Sequence, residues 1–293
     1  MDQKHDLSPL EIESIRKLAH TQRLALGFIG ENPIANDIFT ILEKLNIILL
    51  EFPINAKGDK PAFSAMIMCS EEGGLSLVFI GLNTADYFDR QVFAISHELY
   101  HYFTKTGSHL SRQQAQDLDI VEVRANRFAA EFLLPESVLR SRVFDEFKSY
   151  SLEHIQTRVL LRFIARLQCT WWLPYRSLVK RLREVEAITP AQYQELYRID
   201  ERDMDGEYGR IGRATHNDTF AMLNATTNTI GTSPRSIEAI IRNFEDDLID
   251  EDTFTNTLRL FNKTPADFGY GILISPDDVD EINGFNTPGR VLD

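Results

Sequence analysis

His97-Glu98-Leu99-Tyr100-His101 sets two imidazoles four residues apart, with a carboxylate next to the first. On a helix, positions four apart lie on one face, so both rings can grip one divalent ion. Glu98 can then hold a water molecule as general base. Histidine is scarce in this chain, seven in 293 residues. The competing reading is a pair of surface histidines on an amphipathic helix. The pattern alone leaves both open, and a third ligand weakens the second.

One downstream segment offers that ligand. Residues 117–134 read DLDIVEVRANRFAAEFLL and are followed by Pro135. Proline disfavours helical geometry in the residue before it, so the pattern predicts a helix that stops there. Glu122, Ala125, Asn126, Ala129 and Leu133 share one face of this helix. The two alanines permit close approach to the histidine helix. Glu122 can then complete a His-His-Glu set, with water in the fourth position. Asn126, one turn on, can orient a histidine through its other ring nitrogen. Glu131 lies about half a turn round from Glu122, is expected to face solvent, and is the second choice as ligand. These ligand types favour one zinc ion, although manganese or iron can occupy such a set.

The sequence H-E-L-Y-H, followed by EVRANRFAAEFLLP from Glu122 to Pro135, resembles the ImmA/IrrE family of bacterial zinc metallopeptidases. An apolar run ending at Leu82-Asn83, just before the histidine segment, fits the same family. The resemblance covers about the first 185 residues, and the rest more loosely. It implies that His97 and His101 are the zinc histidines, Glu98 the general base and Glu122 the glutamate ligand. The family commonly has glycine where this chain has Tyr100. Many members begin with a helix-turn-helix domain, whereas here the peptidase portion is expected to start the chain. The resemblance also implies a protein substrate, often a helix-turn-helix repressor, in a setting such as stress response, mobile-element control or defence.

The elements that must position these residues can be read in outline. Val92, Ile95, Leu99 and Phe103 form one apolar stripe at helical spacing, roughly opposite His97 and His101. The stripe can face a core while the histidines face a cleft. Ser8-Pro9-Leu10-Glu11 reads as a capped helix start, and Gly27 or Gly30 as its end. A helix over 34–45 leads into a strand over 47–52. Strands over 63–69 and 75–82 flank a Glu71-Glu72-Gly73-Gly74 turn. These predict a small antiparallel sheet whose free edge can take an extended peptide as an added strand. The segment 104–116 is expected to be a loop at the cleft. His109, Tyr100, Tyr102 and Tyr87 are candidates for stabilising an oxyanion, with none preferred.

From residue 151 the pattern becomes helical, with helices over 152–167 and 174–183. Seven basic residues and no acid lie between Arg158 and Arg183, which suggests a helix-turn-helix-like pair. The adjacent Trp171 and Trp172 favour burial or a protein contact over base reading, so direct nucleic-acid binding is not expected. Residues 203–232, rich in Gly, Asn, Asp and Thr, read as a loop or linker. Further helices are expected from Ser233-Pro234, near Asp250 and from Thr264-Pro265. Residues 186–293 carry 21 acids against 9 bases, and residues 1–185 carry 23 against 22. Nearly all of the net charge of −13 therefore lies in the C-terminal part, where phosphate would be repelled.

No apolar run is long enough to span a bilayer, and the N-terminus is too polar for a signal peptide. Cys69 and Cys169 read as reduced thiols of a cytoplasmic protein. The expected architecture is α+β: a zincin-like metallopeptidase domain with a small sheet over 1–140, a helical region over 141–200, and an acidic, mainly helical domain over 201–293. The expected function is that of a cytoplasmic zinc endopeptidase, with no membrane partner. The alternative is a zinc-dependent sensor or protein-binding module that does not cut its partner. Glu98 separates the two, because metal binding alone needs no general base.

Overall fold

The computed structural model describes residues 7–30, 32–55, 63–72, 75–106 and 115–271. The chain divides into two compact units, Met1–Ser233 and Pro234–Asp293. The sequence boundaries after 140 and 200 do not coincide with this division.

The first unit opens with α1 (Pro9–Leu26). Ser8 and Glu11 form a reciprocal capping box, with Pro9 in the first turn and Gly27 closing the helix at φ 97°. Each residue supplies what a helix end lacks: a donor or acceptor at the start, and a left-handed conformation at the stop. Arg23, buried on α1, donates to the Phe132 carbonyl at 2.6 Å and so caps the end of a helix far along the chain. The short α2 (Asp37–Lys44) delivers the chain into β1 (Ile47–Phe52).

β2 (Ala65–Glu72) and β3 (Leu75–Asn83) form an antiparallel pair. The sheet is mixed rather than antiparallel throughout as predicted: β1 and β3 run parallel, with Leu49 opposite Ile80. β3 inserts between β1 and β2, so β1 and β2 are not neighbours in the sheet order β2-β3-β1-β4. Alternating apolar residues show that a strand has a buried face, but not which strand lies beside it. β4 (Gly231–Thr232) pairs antiparallel with β1 and leaves β2 as an edge strand.

α3 (Phe88–Thr104) carries the histidines and packs on β2 and β3. Val92, Ile95 and Leu99 are fully buried, as the apolar stripe predicts. Burying a side chain of this size stabilises by roughly 1.5–3 kcal/mol. α4 (Ala115–Leu133) lies against α3 and α1. Ala125 and Ala129 are fully buried on it. Leu133 is its last residue, and Pro135 starts α5 (Glu136–Phe147).

α6 (Thr157–Trp171) and α7 (Tyr175–Glu184) follow, joined through Trp172 in the left-handed region at φ 54°. Trp171 is buried, and Trp172 packs against Phe88 with ring centroids 5.5 Å apart. After α8 (Pro190–Tyr197) comes α9 (Glu207–Leu223), inside the stretch expected to be a linker. Tyr208 and Phe220 on α9 are fully buried, and α9 packs on α6. A buried polar chain fixes this arrangement. The Tyr208 hydroxyl donates to Gln168 at 2.6 Å, Gln168 donates to Asp89 at 2.8 Å, and Arg202 pairs with Asp89 at 2.8 Å.

The second unit holds α10 (Pro234–Glu245), α11 (Glu251–Arg259) and a 3-10 turn at Pro265–Phe268. Phe244 and Phe254 stack at 4.2 Å with Tyr270 edge-on to both. No helix among the described residues is long and apolar enough to cross a membrane.

Candidate metal centre

His97 and His101 project from adjacent turns of α3, and Glu122 reaches them from α4. His97 Nε2 is 3.2 Å from His101 Nε2 and 3.0 Å from Glu122 Oε2. His101 Nε2 is 3.5 Å from Glu122 Oε1. One ligand atom from each residue lies within 4.8 Å of the others. The structure thus brings together the three residues chosen from the sequence.

The donor chemistry is suited to a cation. Asn126 presents Oδ1 to His97 Nδ1 at 3.1 Å. An amide oxygen only accepts, so Nδ1 carries the hydrogen and neutral His97 offers a lone pair at Nε2. That lone pair faces a second imidazole nitrogen and a carboxylate oxygen. Two imidazole nitrogens and a carboxylate oxygen arranged in this way suit a divalent metal ion. Burial works against the His97 imidazolium, but the hydrogen bond it donates to Glu122 and the charges of Glu98 and Glu122 outweigh it and raise its pKa. Burial, then the neighbouring His97 charge, lowers that of His101. The His97 hydrogen bond holds Glu122 below the usual carboxylate range.

Glu98 is buried beside this cluster, and its Oε2 accepts the backbone N–H of Ile67 on β2 at 3.0 Å. Burial raises its pKa, against the opposing charge of His97 and the Ile67 hydrogen bond. Glu98 therefore links α3 to the edge strand. A cleft of about 410 Å³ is lined by His97, Glu98, Glu122 and Asn126 on α3 and α4, and by Ser64 and Ala65 at the start of β2.

Other expectations fare differently. Glu131 does not face solvent. Its side chain is 4% exposed and pairs with Arg181 at 2.6 Å, while also accepting the Glu136 backbone N–H at 2.8 Å. It is a buried structural charge, not a second-choice ligand. Tyr100 is buried against Phe128, Tyr102 donates to the Leu45 carbonyl, and Tyr87 lies under Arg90 and Arg202. None of the three lines the cleft. His109 lies outside the described residues. The cleft is completed by residues that sequence reasoning did not place there: Arg90, Phe93, Pro174, Arg176, Ser177 and Glu201. Arg176 was visible only as part of a basic stretch, and Arg90 and Glu201 carried no signal.

Residues 70–181 match the family model Peptidase_M78, described as the IrrE N-terminal-like domain. The chain carries an IrrE N-terminal-like domain. No curated protein and no solved structure gives a significant match. The IrrE-like segment begins within β2 and ends within α7, so it contains α3, α4 and every residue of the candidate centre. This match to a peptidase family suggests a metallopeptidase-type role, and the clustered histidines and Glu122 provide a site that could hold the metal.

Proposed function

We propose that the protein is a zinc-dependent endopeptidase that cleaves a regulatory protein. The observation that carries this reading is the convergence of His97, His101 and Glu122 beside a buried glutamate, in a cleft that starts at an edge strand. Two imidazoles and one carboxylate would hold zinc, with Asn126 fixing the His97 ring. When bound, zinc supplies Lewis acidity toward the scissile carbonyl and toward water.

The remaining work falls to the chain. Glu98 takes a proton from the attacking water and returns it to the leaving amine. A raised pKa suits a group that must both accept and release that proton. The outward backbone groups of β2 can receive an extended peptide as an added strand. The resemblance supports a helix-turn-helix repressor as substrate. The free thiols Cys69 and Cys169 support a cytoplasmic location.

The deciding experiment compares wild type with Glu98→Gln, both zinc-loaded and incubated with candidate protein substrates. Mass spectrometry reads new termini. Wild type should produce them and Glu98→Gln should not, while both retain metal. If the two proteins bind a partner equally and neither creates new termini, the protein is a non-cleaving sensor.

A further inference from the structure

The cleft extends beyond the proposed metal ligands. Arg176 and Ser177, in the first turn of α7, line both the main cleft and an adjoining groove of about 210 Å³. Lys180, one turn on, lines that groove as well. The charges around it are unevenly matched. Glu184 is committed to Arg127 and Arg181. Arg90 is balanced by Asp86 at 3.7 Å and approaches Glu201 at 3.5 Å. Arg176 rests its Nε–H on Glu201 at 3.1 Å, yet its side chain stays 49% exposed. Lys180 is exposed and makes no ion pair among the described residues.

Arg176 is also held in place. Its guanidinium lies over the Tyr197 ring, 5.3 Å from the centroid, and Glu201 is almost fully buried behind it. A charged head fixed in this way gives up little freedom when it binds. No side chain caps the start of α7 and no acid lies in its first turn; among the described residues the carboxylate paired with Arg176 is Glu201, at Nε.

We propose that Arg176 and Lys180 form a specificity-determining subsite for a carboxylate of the peptide substrate. This rests on the peptidase reading of the cleft. The carboxylate can come from an acidic side chain within the peptide or from a free C-terminus. Guanidinium suits either, because its planar donors match a carboxylate. The whole chain carries a net charge of −13, so long-range steering does not favour such a substrate. The preference arises at contact, within the Debye length of about 8 Å at physiological salt.

Binding is measured with the full-length, zinc-loaded Glu98→Gln protein, which keeps the cleft without turnover. The probes are fluorescent, acetylated and amidated decapeptides with Glu at each position in turn. Their controls carry Gln at the same position, and a third arm is an uncharged peptide with a free C-terminal carboxylate. Anisotropy should show Glu bound on the order of tenfold more tightly than Gln at one position, or the free C-terminus so favoured over its amide. Lys180→Gln, an exposed change that leaves folding intact, should reduce that preference. Adding Arg176→Gln should abolish it, and Arg176→Lys should keep part of it. Equal binding of Glu and Gln at every position with no preference for the free C-terminus, or no binding of any peptide, overturns the subsite. Cleavage of the same peptides by the wild-type zinc protein is read separately. A carboxylate preference without new termini sinks the peptidase reading and leaves the subsite. New termini without a preference do the reverse.

Discussion

The Glu98 carboxylate accepts the backbone N–H of Ile67 at 3.0 Å, on the unpaired side of the edge strand β2. The proposed base therefore occupies a position that a peptide adding itself to β2 would need. Binding and proton transfer are linked: an incoming backbone carbonyl displaces Glu98 from Ile67. Glu98→Ala removes the competitor along with the base. We predict that this variant binds an extended peptide at least as tightly as Glu98→Gln, whose amide oxygen can still accept from Ile67. Calorimetric titration of both variants with one peptide checks it. Clearly weaker binding by Glu98→Ala would rule out the competition.

The second prediction separates the two glutamates of α4. Glu122→Ala removes a converging oxygen and should lower metal occupancy steeply, as should His97→Ala and His101→Ala. Glu131→Ala should keep the metal but destabilise the fold by about 3–5 kcal/mol, because it leaves Arg181 buried with less compensation. Metal analysis and chemical denaturation read the two effects. Loss of metal from Glu131→Ala at full folding would return Glu131 to the ligand set.

The third prediction concerns acid stability at the start of α1. Glu11 closes the capping box and pairs with Arg124, and these hydrogen bonds lower its pKa from the ordinary 4.5 to about 2. A depressed carboxylate contributes stability that is present above its unfolded value and lost as pH falls through its folded one. Glu11→Gln should therefore melt below wild type at neutral pH, with the gap closing between pH 4.5 and about 2. A constant gap in melting temperature across that window would exclude the linkage.

These residues also show what a sequence can and cannot reveal. His97, His101, Glu122 and Asn126 were legible because helical spacing fixes which side chains share a face. The capping box at Ser8 and Glu11 was legible for the same local reason. Glu131 was misjudged because its partner, Arg181, lies fifty residues away. The parallel pairing of β1 with β3 was missed because it depends on which strand inserts between two others. α9 was hidden by its Gly, Asn and Thr content, which weakens local helix propensity. Tertiary burial of Tyr208 and Phe220 overrides that weakness.

The fourth prediction uses α9. A Cβ at Gly209 would lie 2.5 Å from the Asp203 carbonyl oxygen and from Met204 Cα. Both are backbone atoms of the turn that enters the helix, so neither yields as a flexible side chain would. Although alanine is the better helix former, Gly209→Ala should destabilise by roughly 1–3 kcal/mol. A stabilised variant in urea denaturation would show that the turn moves freely.

The last prediction concerns the basic stretch of α6 and α7. Seven basic residues and no acid lie between Arg158 and Arg183, and the acidic residues further along are candidates to cover them. The first unit already supplies most of the partners. Arg158 pairs with Glu207, Arg166 with Glu146, Arg176 with Glu201, and Arg181 with Glu131 and Glu184. All five acids precede residue 234. A chain ending at Ser233 keeps the main hydrophobic cluster and β4, so its fold should persist. Polyanion binding grows with the number of phosphates a protein neutralises. With most of these cations already paired, deleting the second unit should not create a strong nucleic-acid surface. Heparin and DNA retention near physiological ionic strength should remain weak in both the full chain and the truncation. Retention that appears only after truncation would show that the acidic second unit masks the basic helices.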